Sequence, residues 1–145
     1  MCLISRTNEP LIATEEIKIY KKCRLFEDNK LHSYFTLFTG KYHYSKVEEA
    51  RIFPELTDGS ITWCDGCYII REGLHGVLNP DDLIPSCLSS FNRFSNETIV
   101  ITEWIIPIGI KYYLDIDNKG IVAEKIMFSK LLTSTELEKN IIWKE

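Results

Sequence analysis

The sequence lacks an apolar run long enough to cross a membrane. Its longest run, WIIPIGI at residues 104–110, is far below the roughly 18 to 20 residues that a spanning helix needs, and Pro107 interrupts it. The opening segment, MCLISRTNEPLIATEE, has neither the basic flank nor the long apolar stretch of a secretory signal peptide. We therefore expect a cytoplasmic protein that has no membrane partner.

The chain also lacks an excess of positive charge. It has 17 Lys and Arg against 21 Asp and Glu, which gives a formal net charge of -4 at pH 7. Broad nucleic-acid binding depends on the neutralisation of many phosphates by basic side chains, so we do not expect it here. A local cationic pocket for one small anion is still compatible with this balance.

Short motifs with a known chemistry are missing as well. The sequence has no nucleophile elbow, P-loop, dinucleotide fingerprint, H-E-x-x-H zinc motif or EF-hand loop. Their absence lowers the odds of catalysis without removing it. We therefore assign no catalytic residue, no cofactor and no metal ligand, and the expectation leans away from an enzyme.

Cysteine is present in an odd number without a dense framework, at Cys2, Cys23, Cys64, Cys67 and Cys87. We expect reduced thiols, several of them buried. Cys64-x-x-Cys67, with Gly66 between them, has the spacing of half a zinc knuckle, and His75 and Cys87 would have to complete the site at irregular spacing. Cysteines that pack in or beside a hairpin are the favoured interpretation; a zinc site and redox chemistry remain alternatives.

The length of 145 residues fits one globular domain over residues 1–145, with residues 1–13 as a lead-in segment. Runs that alternate or are rich in β-branched residues predict strands over residues 15–26, 31–38, 97–107, 109–116 and 121–132. Residues 61–70 are predicted to form either a hairpin or one bulged strand. Strands succeed one another without regular helical crossovers. The pattern therefore predicts an α+β domain with a curled, mainly antiparallel sheet of about six or seven strands and two or three short helices.

Three helices are expected from their start signals. Ser45 and Glu48 have capping-box spacing, which predicts a helix over about residues 46–52. Asn79 before Pro80, with two acidic residues behind, predicts a helix that runs or restarts towards Arg93. Thr133 and Glu136 again have capping-box spacing and predict a terminal helix.

The stretch REGLHGV is the first candidate site. Glycines at positions 73 and 76 flank His75 and let the backbone come close to a partner, with the imidazole at a turn. A histidine in this position could contact a phosphate, act as an acid or base, or cap a carbonyl. Arg71 and Glu72 lie close by in sequence, so this turn is a better functional candidate than the cysteine pair.

The stretch IPIGIKYYLD is the second candidate. Strand alternation places Lys111 and Tyr113 on one face and Tyr112 on the other. One face could present an ammonium group and an aromatic ring to a ligand, with Glu124 and Lys125 nearby; alternatively, the tyrosines cover the core and Lys111 extends to solvent.

Taken in order, the segments IATEEIKIYKK, EGLHG, IPIGIKYY and AEKI resemble a loose set of small proteins from bacteriophages and mobile elements of gut bacteria. That set has the pattern I-A-T-E-D-I-x-x-Y-K, then G-[LF]-H, then I-P-K-G-x-K-Y-Y and A-S-D-K. This chain departs at Ile108 and at Glu124. The resemblance implies a phage-type protein in the host cytoplasm that acts on host defence by binding, and it implies no particular reaction.

These observations favour a non-catalytic protein that binds and sequesters a small nucleotide-derived signal of host defence. Such a site needs aromatic rings for a base and cationic or amide donors for phosphates. The expected ligand-binding residues are Tyr20, Arg71, His75, Lys111, Tyr112 and Lys125. A tightly held ligand should be mostly buried, and a homo-oligomer interface is one way to bury it.

Two other functions stay open. A protein-binding inhibitor or adaptor of a host factor would carry an exposed apolar patch, around WIIPIGI or the C-terminal IIW. A nucleotide- or NAD-processing enzyme would use His75 with Glu72 or Glu124 as acid and base.

Overall fold

The computed structural model describes residues 3–33, 43–56, 66–83, 97–133 and 135–145, and 53% of these residues lie in strands. The strands are β1 Leu3–Ser5, β2 Leu11–Ile12, β3 Ile17–Phe26, β4 Leu31–Ser33, β5 Val47–Glu49, β6 Pro54–Leu56, β7 Tyr68–Ile70, β8 Leu74–Val77, β9 Glu97–Ile106, β10 Lys111–Leu114, β11 Gly120–Ala123 and β12 Lys125–Leu131. The helical elements are a 3₁₀ turn, Pro80–Asp82, and one α-helix, α1, Thr135–Glu138.

Nine strands form one sheet in the order β2-β10-β11-β8-β3-β9-β12-β5, with β4 also paired to β3. The strand pairs are antiparallel throughout. β11 and β12 are separated along the chain only by Glu124, yet β8, β3 and β9 lie between them in the sheet order. The sheet must therefore curl, because β11 and β12 are consecutive in the chain but pair with opposite edges of the three strands β8, β3 and β9.

The main core fills the inside of the curl. Odd-numbered residues of β3 face inward, and the fully buried Ile19 lies opposite the equally buried Trp104 of β9. The indole nitrogen of Trp104 donates to Thr102 Oγ1 at 2.7 Å, and that hydroxyl donates to the carbonyl of Lys21 at 3.0 Å. These buried polar groups at the centre of the sheet are thus paired, as burial requires.

A smaller sheet, ordered β1-β7-β6, packs on the outer face of β10 and β11. The contact is a second cluster of buried side chains, formed by Leu3, Ile52, Ile70, Tyr113 and Val122. The hydroxyl of Tyr113 donates to the carbonyl of Asn8 at 2.7 Å, which ties the N-terminal segment to the main sheet.

The predicted α+β class is wrong, because the described residues are mostly β and contain only one short α-helix. The helix expected over residues 46–52 is instead strand β5, which pairs with β12 through Val47 and Met127. Glu48 still accepts from the Ser45 amide at 3.4 Å, so the local capping contact forms without a helix. Pairing with β12 satisfies the backbone that a helix would otherwise have satisfied internally.

The other two helix predictions have different outcomes. Asn79 does cap, since its side chain accepts from the Asp81 amide at 3.0 Å, but the capped segment is only a 3₁₀ turn. The continuation towards Arg93 lies outside the described residues. The terminal helix is four residues long, from Thr135 to Glu138.

The strands predicted over residues 15–26 and 97–107 are confirmed as β3 and β9. The predicted strand over 121–132 is divided into β11 and β12 at Glu124, where the chain bends between two partners. Two strands, β1 and β2, occur within the segment expected to be a lead-in, and Ala13 is buried in the main core. Within the described ranges, no helix has the length and apolar character needed to span a membrane.

Candidate functional site

A gap in the main sheet creates the first candidate site. One edge of β3 pairs with β9 along its full length, from Ile17 to Phe26. The other edge pairs with β8 only at Tyr20 and with β4 from Cys23 to Leu25. Lys21 and Lys22 lie between these partners and pair with neither strand. We call the opening at this point the notch.

The notch holds a cavity of about 180 Å³. Its described lining residues are Tyr20, Lys21, Lys22, Ser33, Tyr44, Arg71, Gly73, His75, Gly76, Val77 and Leu83. Because one water occupies roughly 30 Å³ of liquid, the space corresponds to about six waters, which is below the roughly 300 Å³ of pockets for larger ligands. It therefore suits a phosphate-sized group with a small attachment.

The charged residues that line the notch are cationic, and none of the described lining residues is a carboxylate. Lys21 is half-buried; its ammonium donates to the carbonyl of His75 and lies 5.8 Å from the centroid of the Tyr44 ring. Burial lowers the pKa of Lys21, and the nearby Cys23 and Glu48 partly offset this. Lys22 is 7% exposed. The notch therefore offers an electrostatic environment that favours an anion.

Arg71 is the more exposed cation of the notch. Its guanidinium Nη1 lies 3.3 Å from Glu55 Oε2, and both side chains are 59% exposed. Exposed ion pairs of this kind contribute only about 0 to 1 kcal/mol. A guanidinium has five N–H donors, so Arg71 keeps several for a ligand while it pairs with Glu55.

His75 lies in strand β8, where a turn was expected, and it is held as one tautomer. Its Nε2 lies 3.1 Å from the carbonyl oxygen of Arg71, and because a carbonyl can only accept, Nε2 carries the proton. Burial lowers the pKa of His75 to about 4; the bond to Arg71 opposes this shift and Lys21 adds to it. At neutral pH the ring is uncharged, and its Nδ1 presents a lone pair.

Tyr20 presents its ring to the notch while its hydroxyl is engaged elsewhere. The Tyr20 hydroxyl donates to Glu103 Oε1 at 3.1 Å, and Ser129 Oγ donates to Glu103 Oε2 at 2.7 Å. Burial raises the pKa of Tyr20, and the bond to Glu103 raises it further. Glu103 thus orients the Tyr20 ring from outside the cavity. Ser33 contributes a buried hydroxyl that has no hydrogen-bond partner among the described residues.

The glycines beside His75 serve the close approach of strands. A Cβ on Gly76 would lie 3.0 Å from the carbonyl oxygen of Tyr20, so the absence of a side chain lets β8 approach β3. A Cβ on Gly73 would lie 2.5 Å from a methyl of Val122, and its φ of 123° disfavours any other residue. These glycines therefore set one wall of the notch.

The structure brings three of the six expected ligand-binding residues together, Tyr20, Arg71 and His75. Lys111 is exposed and does not line the notch, although the register His75–Val122–Tyr113 places it on the same face of the sheet. Tyr112 packs against the main core on the opposite face.

The last of the six, Lys125, lies in a separate open depression beside Glu124. Its ammonium is 3.5 Å from Glu49 Oε1.

Four polar lining residues were missed by the sequence reasoning, Lys21, Lys22, Ser33 and Tyr44. A signal for Lys21 exists, because this lysine has the same alternation phase as the buried Ile19 and Cys23. A lysine in the core-facing phase of a strand is rarely accommodated without a specific partner. No comparable local signal marks Ser33, which reaches the notch through the pairing of β4 with β3, or Tyr44, whose amide donates to the carbonyl of Leu31.

The expectation of reduced cysteines is wrong at Cys67, which is disulfide-bonded, whereas Cys23 is a buried thiol outside any disulfide. A disulfide sulfur is not a thiolate, so Cys67 offers no zinc ligand in this state. Expectations for Cys2, Cys64 and Cys87 lie outside the described residues. Across the described part of the chain, His, Cys, Asp and Glu form no group of three or more that could hold a metal ion.

No protein family, curated protein or solved structure matches this chain. The chemistry of the notch therefore has to be argued from its own residues.

Proposed function

We propose that this protein binds a small phosphate-bearing, nucleotide-derived molecule in the notch and sequesters it without chemical change. The observation that carries the proposal is the lining itself. Two lysines and Arg71 surround a cavity of about 180 Å³ in which the described lining residues include no carboxylate. An anion entering this space gains charge-assisted hydrogen bonds, which are roughly twice as strong as neutral ones.

Two tyrosines supply the apolar side of the proposed site. Tyr20 is oriented by Glu103, and Tyr44 packs against Trp104 with ring centroids 5.3 Å apart. An aromatic surface that is already held in place loses little conformational freedom when a ribose or base packs on it. The cavity is small, so we propose that it takes the phosphate and adjoining sugar, while a base would lie towards the opening.

Proton transfer is a weaker candidate for this site. A base with a pKa of about 4 is neutral at pH 7 but has little tendency to take up a proton. Glu124 lies in a different depression from His75, and Glu72 is exposed and does not line the notch. The arrangement therefore favours binding over acid–base catalysis by His75.

The test is isothermal titration with adenosine monophosphate, ADP-ribose and cyclic dinucleotides, followed by heating and recovery of the ligand. We expect binding to at least one of these nucleotides and recovery of the ligand unaltered. The absence of a binding heat with all of these nucleotides, or recovery of a chemically altered ligand, would contradict the proposal. The mass of the complex in solution also tests the predicted self-association.

Three variants locate the binding. Arg71→Ala removes a notch cation and is expected to weaken binding about tenfold, as loss of a charged hydrogen bond does. Glu55→Gln breaks the same ion pair but leaves the guanidinium, so binding should be retained or strengthened. Lys18→Ala removes an equal charge from an exposed site on β3, outside the notch, and should change little. Equal weakening by Arg71→Ala and Lys18→Ala, each of which removes one positive charge, would indicate a general charge effect.

A second candidate function is protein binding, and a specific observation favours it. Leu11, Ile12 and Ile108 are 46%, 57% and 65% exposed. Hydrogen bonds between Ala13 and residues 109–110 bring them to one edge of the main sheet. The C-terminal IIW is less suitable, because Ile141 is buried and Trp143 packs on the core. If this edge binds a host protein, a double change of Ile12 and Ile108 to Lys abolishes capture of that protein and leaves nucleotide binding intact.

A further inference from the structure

The hydrogen bond made by His75 restricts which ligand groups can contact it, beyond the preference for an anion that the charge of the notch creates. Its Nε2–H is donated to the carbonyl of Arg71, so the ring has no proton left for a phosphate oxygen. A phosphate contact through a donated proton, as the sequence suggested, would require the charged imidazolium. Nδ1 is left as an acceptor, and within the described residues this nitrogen has no hydrogen-bond partner.

The surrounding groups have the opposite character. Lys21 donates one of its three N–H groups to the carbonyl of His75 and retains two, and Arg71 retains donors beyond its contact with Glu55. Ser33 has a hydroxyl without a partner in the described ranges, and this group can donate or accept. The notch thus combines several donors for an oxyanion with a neutral imidazole acceptor at His75.

We propose that His75 is a specificity-determining residue that accepts a hydrogen bond from the ligand, so that the notch selects a phosphate carrying a hydroxyl over an oxyanion without one. The hydroxyl belongs either to the phosphate itself or to an adjoining sugar. This inference rests on the proposed function of the notch. An oxyanion with no donor would leave Nδ1 of His75 desolvated and unpaired, which is the situation that folded proteins avoid.

The probes are three anions, measured by titration at neutral pH. Hydrogen phosphate and sulfate are similar in size and charge, but only hydrogen phosphate has an O–H; ribose 5-phosphate adds sugar hydroxyls. We expect hydrogen phosphate, ribose 5-phosphate or both to bind about tenfold more tightly than sulfate, as expected for one buried acceptor left unpaired. Preference for hydrogen phosphate assigns the donor to the phosphate, and preference for ribose 5-phosphate alone assigns it to the sugar.

A His75 variant series tests whether this residue makes the distinction. His75→Phe keeps a planar ring and removes the acceptor, so sulfate should approach the affinity of the preferred phosphate. His75→Gln restores an acceptor and a donor, so part of the discrimination should return. Nitrogen NMR of the unsubstituted protein gives a readout that does not depend on folding of a variant: the Nδ1 signal of His75 should move on addition of the preferred phosphate and stay in place with sulfate.

Failure of this inference can be separated from failure of the proposed function. Tight binding of phosphate and sulfate alike, with Nδ1 unaffected, would overturn the role of His75 while leaving an anion site in the notch. Absence of binding by all three anions and by the nucleotides would overturn both.

Discussion

Glycines form part of the wall of the notch. Alanine substitutions at three glycines separate the cost of backbone strain from the cost of steric contact by an added Cβ. Gly66 has a φ of 77°, and no atom of a described residue lies within 4 Å of an added Cβ, so backbone strain is the effect expected there. At Gly76 the added Cβ would lie 3.0 Å from the carbonyl oxygen of Tyr20 and 3.1 Å from Ile19 Cδ1. Gly73 combines a φ of 123° with contacts of 2.5 Å and 2.6 Å to methyl groups of Val122 and Ile52.

The expected losses of unfolding free energy are set by these contacts. Backbone strain alone at Gly66→Ala should cost about 1 kcal/mol. Gly76→Ala should cost about 1 to 3 kcal/mol, because β8 must move away from β3 to relieve the contact. Gly73→Ala combines both effects and should cost about 2 to 5 kcal/mol, a large part of the about 5 to 15 kcal/mol that holds a domain folded.

Urea unfolding followed by tryptophan fluorescence measures these differences, since Trp104 is fully buried in the main core. Gly76→Ala should also weaken ligand binding, because it displaces Tyr20, whereas Gly66→Ala should leave binding unchanged. Full stability in Gly76→Ala would refute the close approach of β8 to β3. A Gly66 variant less stable than the Gly73 variant would refute the assignment of strain and contact.

Three other substitutions or titrations test single interactions. Burial raises the pKa of Asp115, so the folded state loses stability as pH rises above the ordinary carboxyl pKa of about 4. Asp115→Asn should therefore be more stable than the natural protein when urea unfolding is measured at pH 7. The difference should vanish when the same unfolding is measured below a pH of about 4, where the carboxyl group is protonated in both states. Thr102→Val leaves the buried indole N–H of Trp104 without its acceptor and should cost about 1 to 3 kcal/mol in urea unfolding. Glu103→Gln removes the carboxylate beside Tyr20, so ultraviolet titration should find the pKa of Tyr20 closer to that of a free phenol. An unchanged pKa would mean that burial alone raises it.

The parts of the fold that could be predicted are those with a local pattern. β3 alternates along its ten residues, β9 is a run of ten residues rich in β-branched side chains, and the two strands pair along that whole length. The helix predicted after Ser45 does not form, because capping-box spacing reflects only the local conformational preference of the backbone. Val47 instead pairs with Met127, and no local rule carries information about a partner at that distance along the chain.

The candidate site was predictable only in part for the same reason. Arg71 and His75 are close in sequence, and their flanking glycines marked the stretch. Their proximity to Lys21 and Ser33 depends on which strands leave the edge of β3 uncovered, and that is decided by the sheet order. The lysine in the core-facing phase of β3 has a position in the strand pattern that conflicts with its chemistry. Such conflicts often mark functional positions.

The electrostatics of the notch link binding to stability. Lys21 is held where burial disfavours its charged form, and Arg71 and Lys22 line the same small cavity. Bringing these groups together without a carboxylate in the described lining costs free energy that an anion would recover. A ligand that binds only the folded state adds about 2.7 kcal/mol at a hundredfold excess over its dissociation constant, so an anion site here should be detectable as stabilisation even before its natural occupant is identified. A notch that merely exposed lysines to solvent would show no such gain with phosphate.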